Sequence, residues 1–228
     1  MSCLNLSLAC NFFVLGAPRM EQRGIFTEDE VRHVVGELLD ALSFIHSVSP
    51  LAHHSVSFLR YPLTHLHELQ MELAHGNIKG QNVLCFTDDD NPLQSEIRLT
   101  SFGRAFDVAA KKTQQEQQQS TLEPPPGFSD EDYEAVLGLG YAVDLFGVGA
   151  LTYRMLTGKA LAACVSDDDD AWRACIMWSL ADADSALSSV DWKLVSPQAK
   201  ALVSVLVNTQ AATQLTSEAV RRSRFFRR

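Results

Sequence analysis

One stretch constrains the fold more than any other: "VDLFGVGALTYRMLTGK", Val143 to Lys159. It is apolar on nearly every side, and Gly158 stands where such a run would stop. A helix with no polar face has nothing to turn toward water, so it belongs at the centre of its domain. The chain is long enough to surround it. Its 228 residues, 46% hydrophobic and 21% charged, suit one globular domain with an ample core.

Other helices announce themselves by their caps. Thr27-Glu28-Asp29-Glu30 is a capping box, and Val31, Val34, Val35, Leu38, Leu42 and Ile45 follow at helical spacing, which predicts an amphipathic helix ending near His46. Ser196-Pro197 reads as an N-cap with proline at the first helical position, ahead of "QAKALVSVLV". Thr216 caps a last helix, "SEAVRRSRFF", and "DDDDAWRACIMW" starts another with aspartates at its N-terminus. Between these lie two short strands, Val83 to Phe86 and Glu96 to Thr100, joined by the turn "TDDDNP". Asp88 to Asp90 lack the spacing and the glycine of a calcium loop. The predicted class is mainly α with one small β-hairpin.

Two segments break the pattern. Residues 47–73 mix His, Ser, Pro and Leu without a period and read as a loop insertion; His53, His54, His65 and His67 lack acidic or cysteine partners at ligand spacing, so no metal site is expected there. Residues 109–130 are polar, low in complexity and then proline-rich, and read as a surface loop.

The charge of -9 argues against nucleic acid or an anionic membrane as partner. The basic end, Arg221 to Arg228, is read as a solvated helix end and tail rather than a phosphate-binding patch. Cysteines at 3, 10, 85, 164 and 175 are odd in number and form no CxxC, which points to a reduced, cytoplasmic protein. The apolar run from Leu4 to Ala17 is too short for a membrane helix and has no positive flank before it, so a buried strand is expected.

The chemistry-bearing stretch is "AHGNIKGQNVL", Ala74 to Leu84. A histidine opens it, a lysine sits in its middle and an asparagine precedes the apolar run. Where an acid would serve, Asn77 stands. In this setting the chain resembles the C-terminal lobe of eukaryotic protein kinases, most like the calmodulin-dependent and calcium-dependent Ser/Thr group. "HGNIKGQN" resembles the catalytic loop, H-R-D-L-K-P-E-N; "TSFG", Thr100 to Gly103, resembles the D-F-G segment. "RGIFTEDEVRHVVGELLDALSFIH", "VDLFGVGALTYRMLTGK" and "SPQAKALVSVL" with "QLTSEAVRRSRFF" are similar to the helices around them, in the same order.

The resemblance implies a kinase-like C-lobe over residues 23–226, with residues 1–22 corresponding to the hinge and last strand of a small lobe that is otherwise largely absent. No G-x-G-x-x-G loop followed by V-A-I-K is found. It gives Lys79 the place of the lysine that faces the transferred phosphate and Asn82 that of the metal-binding asparagine. His75 takes the place of a structural histidine packing near Phe102, beside Gly103, and Asp144 that of the aspartate holding the catalytic-loop backbone. Asn77 stands at the general-base position, and a positioned base contributes roughly 10²–10⁴-fold. Ser101 stands at the metal-binding aspartate, and a neutral hydroxyl serves Mg²⁺ poorly. Gly76 replaces an arginine. Asp132 to Glu134 compete with Glu123 to Pro125 for the A-P-E position, and Gln214 replaces an arginine that would pair with its glutamate.

The function this implies is a catalytically inactive, pseudokinase-like module that binds or regulates a protein partner. No cofactor is expected; ATP and Mg²⁺ enter only if nucleotide binding is retained, with Asn82 as the metal contact. The alternatives are a protein Ser/Thr kinase completed by a longer product or in trans, and a fragment or mis-spliced gene product. A retained intron at 47–73 and a wrong start codon would produce the latter.

Overall fold

The structure is a computed structural model and describes residues 12–14, 24–47, 73–86, 93, 95–108, 129–161, 175–176, 187 and 190–227. In chain order the elements are β1 (Phe12–Val14), α1 (Glu28–His46), β2 (Leu73–Ala74), β3 (Val83–Phe86), β4 (Glu96–Leu99), β5 (Phe106–Asp107), α2 (Asp130–Leu139), α3 (Ala142–Thr157), α4 (Val190–Lys193), α5 (Pro197–Leu206), α6 (Thr209–Ala212) and α7 (Ser217–Arg221). Short 3₁₀ turns lie at Gly80–Asn82, Phe102–Arg104 and Arg224–Phe226.

The run read as a central helix is α3, and only Ala150 and Arg154 along it are partly open to solvent. Its threonines are buried without loss because Thr152 and Thr157 donate to Val148 O and Tyr153 O at 2.7 and 2.8 Å. Gly158 ends it in the left-handed region, φ 70°, with its N–H on Arg154 O at 2.8 Å. Helices α1, α5 and α6 pack around it.

Two glycines set how closely its neighbours come. A Cβ on Gly147 would lie 2.6 Å from Ile78 O, and one on Gly149 would lie 2.8 Å from Leu206 Cβ. Gly147 therefore lets the loop after β2 lie directly on the core helix, and Gly149 does the same for α5.

Helix α1 starts with both halves of the Thr27–Glu30 capping box formed, and buries Val31, Val34, Val35, Leu38, Leu39, Leu42 and Ile45. Its first turn also anchors α5: Ser196 donates its N–H and its hydroxyl to the Glu28 carboxylate, both at 2.9 Å, while Ser196 Oγ accepts the Ala199 N–H. The three-stranded sheet has the order β1-β3-β4, all antiparallel, with Phe13 opposite Cys85 and Cys85 opposite Ile97. The pair β2-β5 sets Ala74 opposite Phe106.

The structure corrects several sequence readings. Leu73, assigned to the insertion, begins β2. Asp130 and the three residues after it, read as loop and segment end, lie in α2, which Ser129 caps by accepting the Asp132 N–H at 3.1 Å. "SEAVRRSRFF" is not one helix but α7 followed by a 3₁₀ turn. Nor is the basic end simply a solvated tail: Phe225 is buried, Arg32 lies over its ring and donates to its carbonyl at 2.7 Å, and Arg221 reaches Asp40 and covers Phe226. The strand expected over Leu4 to Ala17 is described only at 12–14. Residues 48–72, the aspartates at 88–90, the stretch 109–128 and most of "DDDDAWRACIMW" lie outside the described residues. No single helix among the described residues is long and apolar enough to cross a membrane.

The close approach at Gly147 yields a direct expectation. Gly147→Ala gains helix propensity, about 1 kcal/mol, but drives a methyl into the Ile78 backbone, for which overpacking costs roughly 1–3 kcal/mol or more. Net destabilisation by roughly 1–2 kcal/mol is expected in urea unfolding, and a stabilised variant would show that the loop does not rest on the helix.

Candidate functional site

The site is assembled around one carboxylate. Asp144, in the first turn of α3, is fully buried. Its Oδ2 accepts the N–H of His75 at 2.7 Å and faces His46 Nε2 at 2.8 Å, and its Oδ1 accepts the N–H of Gly76 at 2.8 Å. The start of the loop is thus pinned to the core helix through its own backbone. Burial pushes the Asp144 carboxyl up, but the hydrogen bond and charge of His46, the charge of His75 and the His75 N–H together hold it below its ordinary value.

His75 is fully buried, and its two nitrogens are told apart by their partners. Nε2 lies 2.9 Å from Thr100 O, which can only accept, so Nε2 carries the proton. Nδ1 then accepts the Asn77 N–H at 3.2 Å. Burial pushes the imidazole's pKa down; the Asp144 charge and the Thr100 bond oppose this, and the His46 charge adds to it. The ring meets Phe102 edge-on with centroids 4.7 Å apart.

Asn82 closes the loop from its other end. Its Nδ2 donates to Asn77 O at 2.8 Å, and its own carbonyl accepts the N–H and hydroxyl of Thr100 at 2.9 and 3.3 Å. These bonds bring Asn77, Asn82 and the Thr100-Ser101 segment into one frame with His75. Lys79 caps the 3₁₀ turn with extended backbone and is half-buried. Asn77 is 8% exposed, and its Oδ1 is buried without a hydrogen-bond partner.

Two backbone positions explain residues that sequence reading treated only as replacements. Gly76 has φ 73°, and a Cβ there would lie 2.5 Å from Arg104 O. In this chain the arginine's place is one that a side chain would crowd. Ser101, exposed, has φ 67° and ψ 53°, and is the one non-glycine residue with positive φ among the described residues. Such a conformation costs an L-residue about 1–2 kcal/mol. Gly103 is exposed, with open space around a hypothetical Cβ.

The donor set does not fit Mg²⁺. That ion is bound through one or two carboxylates. The positions that would face it here offer the Asn82 amide and the Ser101 hydroxyl, and no group of three His, Cys, Asp or Glu among the described residues is arranged to hold a metal. The one carboxylate of the frame, Asp144, is spent on backbone N–H groups and His46. Glu134 and Gln214 are both exposed, and Gln214 donates to Thr213. Glu123 to Pro125 lie outside the described residues.

Sequence reading missed His46 altogether. It closes α1 and sits between Asp144 and Ser217, whose Oγ lies 3.0 Å from Nδ1. Tyr141 stacks on its ring at 4.1 Å and donates its hydroxyl to His46 O at 3.0 Å. A histidine closing an amphipathic helix, on the stripe's buried side, was the available signal.

Comparison with known proteins gives a consistent result. The sequence profile described as "Protein kinase domain" matches residues 49–226. Calcium/calmodulin-dependent protein kinase type 1B of Homo sapiens is 25% identical over 140 residues, covering 61% of this chain and 32% of that protein. Calcium-dependent protein kinase 34 of Arabidopsis thaliana is 24% identical over 211 residues, covering 90% and 38%. The crystal structure of Rad53 kinase domain and SCD2 superposes with a TM-score of 0.57 at 19% identity, over 95% of this chain and 63% of that one. The chain therefore spans well under half the length of these two sequence relatives.

The buried histidine predicts a pH dependence. Its folded-state pKa lies below the ordinary 6.5, so the unfolded chain binds more protons between the two values and stability rises with pH there. Stability is expected to fall as pH drops from about 7 to about 5, and Asp144, with its depressed pKa, adds a further loss only at lower pH, below the ordinary carboxylate range. In His75→Gln the loss over the first window should shrink; urea midpoints at the two pH values measure it.

Proposed function

The chain belongs to the protein kinase family, and from that premise we propose that this domain is catalytically silent and serves as a protein-binding or regulatory module. One observation carries the reading. The carboxylate that holds the loop, Asp144, is buried with three donors, whereas the two positions that would act on ATP, metal and substrate hydroxyl hold the neutral Asn77 and Ser101. The scaffold of the loop is intact and its reactive charges are replaced.

Phosphoryl transfer depends on positioning and on neutralising developing charge through metal ions. Asn77 has no basicity to take a hydroxyl proton near neutral pH. Ser101 leaves the metal without its principal anionic ligand. Lys79 and Asn82 favour retention of weak nucleotide contact over turnover. A protein partner is the ligand class this reading calls for. Ile25 and Leu194, 61% and 88% exposed, are large apolar side chains offered to it.

Two measurements test the two halves of the proposal. Incubated with ATP and Mg²⁺, the chain should transfer no phosphate to protein substrates or to itself above the buffer background. Transfer that is lost on Lys79→Ala would overturn catalytic silence and favour a working Ser/Thr kinase. Size-exclusion chromatography across a concentration series should show association of the purified chain. A concentration-independent monomer that binds no apolar dye would remove the interaction reading.

A further inference from the structure

The buried polar groups do not end at the loop. His46 faces Asp144 with Nε2 and Ser217 with Nδ1. Ser217 is the first residue of α7, and it is buried, as are Asp144 and His75. An unbroken line of hydrogen bonds therefore runs from the C-terminal helix, through His46 and Asp144, to the N–H groups of His75 and Gly76.

The chemistry of each link fixes what it can do. An ionised carboxylate only accepts, so His46 Nε2 must carry its proton toward Asp144. Nδ1 is left to pair with the Ser217 hydroxyl, which can donate to it or accept from it. The ring cannot turn over without losing both bonds, and the Tyr141 ring at 4.1 Å restricts its tilt. Asp144 in turn has no freedom to re-aim, since Oδ1 and Oδ2 each hold a neighbouring peptide N–H of the loop. A shift of α7 that moved Ser217 would leave Nδ1 buried and unpaired, and the ring would have to follow it or let it go.

From this geometry we infer that α7 sets the conformation of the His75–Asn77 loop through a buried Ser217–His46–Asp144 relay, which makes the C-terminal helix a control point for the loop. Ser217 and His46 are positioning residues in this device. The relay is independent of whether the loop turns over substrate, because it acts on backbone geometry. Its input is any contact that draws Ser217 away from His46, and its output is the placement of Asn77 and the peptide N–H groups beside it.

Native-state hydrogen exchange on the full chain tests this, with wild type, Ser217→Ala, Ser217→Thr and Val220→Ala compared. Ser217→Ala should speed exchange of the His75 and Gly76 amides roughly tenfold relative to those in the centre of α3. Ser217→Thr, which keeps the hydroxyl, should restore them. Val220→Ala, which weakens the packing of the same helix without altering a hydrogen bond to His46, should leave the loop-to-core ratio as in wild type. Unchanged His75 and Gly76 rates in Ser217→Ala, or acceleration by one factor throughout the chain, would overturn the relay.

Discussion

A carboxylate with no access to water holds the join between the core helix and the loop. Taking a lone charge into a protein interior costs several kcal/mol, so Asp144 is tolerable only because donors surround it. The three donors come from two places: two consecutive peptide N–H groups of the loop and a histidine at the end of α1. The same requirement therefore orders three parts of the chain. The loop must present its backbone, α1 must end at His46, and α3 must begin where its first turn meets both. Removing the carboxylate would leave buried N–H groups unpaired, and removing any donor would leave part of the charge uncompensated.

Close packing carries the rest of the arrangement. Gly147 admits Ile78, Gly149 admits Leu206, and Gly76 passes beneath Arg104 O. At each place a side chain would separate elements that the Asp144 bonds need together. Ser101 is the counterexample, because it pays for its left-handed backbone with strain that glycine would avoid. The segment keeps that turn because Thr100, just before it, is tied on both sides: its carbonyl holds His75, and its N–H and hydroxyl hold Asn82. The local geometry of the site thus persists through tertiary bonds even where its own side chain does not favour it.

What was legible in the sequence follows from the range of the interactions. The capping box at Thr27, the cap at Ser196 and the stop at Gly158 are chemistry within three or four residues, and each is present as read. The core helix was legible because apolar residues on all sides admit one location. The motif positions His75, Phe102 and Asp144 were legible through resemblance, and the fold brings them together. His46 was not, because its partners lie 98 and 171 residues away and its place on the buried side of α1 does not say what it meets. The pair β2-β5, two residues each, is too short to show a period, and its first residue was absorbed into the irregular segment before it. Helix α2 carries a signal, Ser129 ahead of three acidic residues, but the low-complexity stretch running into it masks that cap. The docking of Phe225 was hidden by the arginines around it, whose guanidinium groups cover aromatic surface as well as meeting water.

Asp144 and the positions 77 and 101, where the resemblance puts carboxylates, differ in what they do for the fold. Asp144 contributes to stability, since its donors are buried backbone and side-chain groups that have no water to fall back on. Acids at positions 77 and 101 would contribute little of that kind. Position 101 is exposed, and position 77 is nearly buried beside a loop backbone already satisfied by Asn82 and His75. A carboxylate at 77 would need a cation or a substrate hydroxyl to answer its charge, whereas the amide found there leaves one neutral acceptor unmet, a cost of roughly 1–3 kcal/mol at most. Folding therefore constrains Asp144 and leaves Asn77 and Ser101 to be constrained by chemistry alone. On the proposed reading, a domain retained for its shape would hold the first and be free to change the other two.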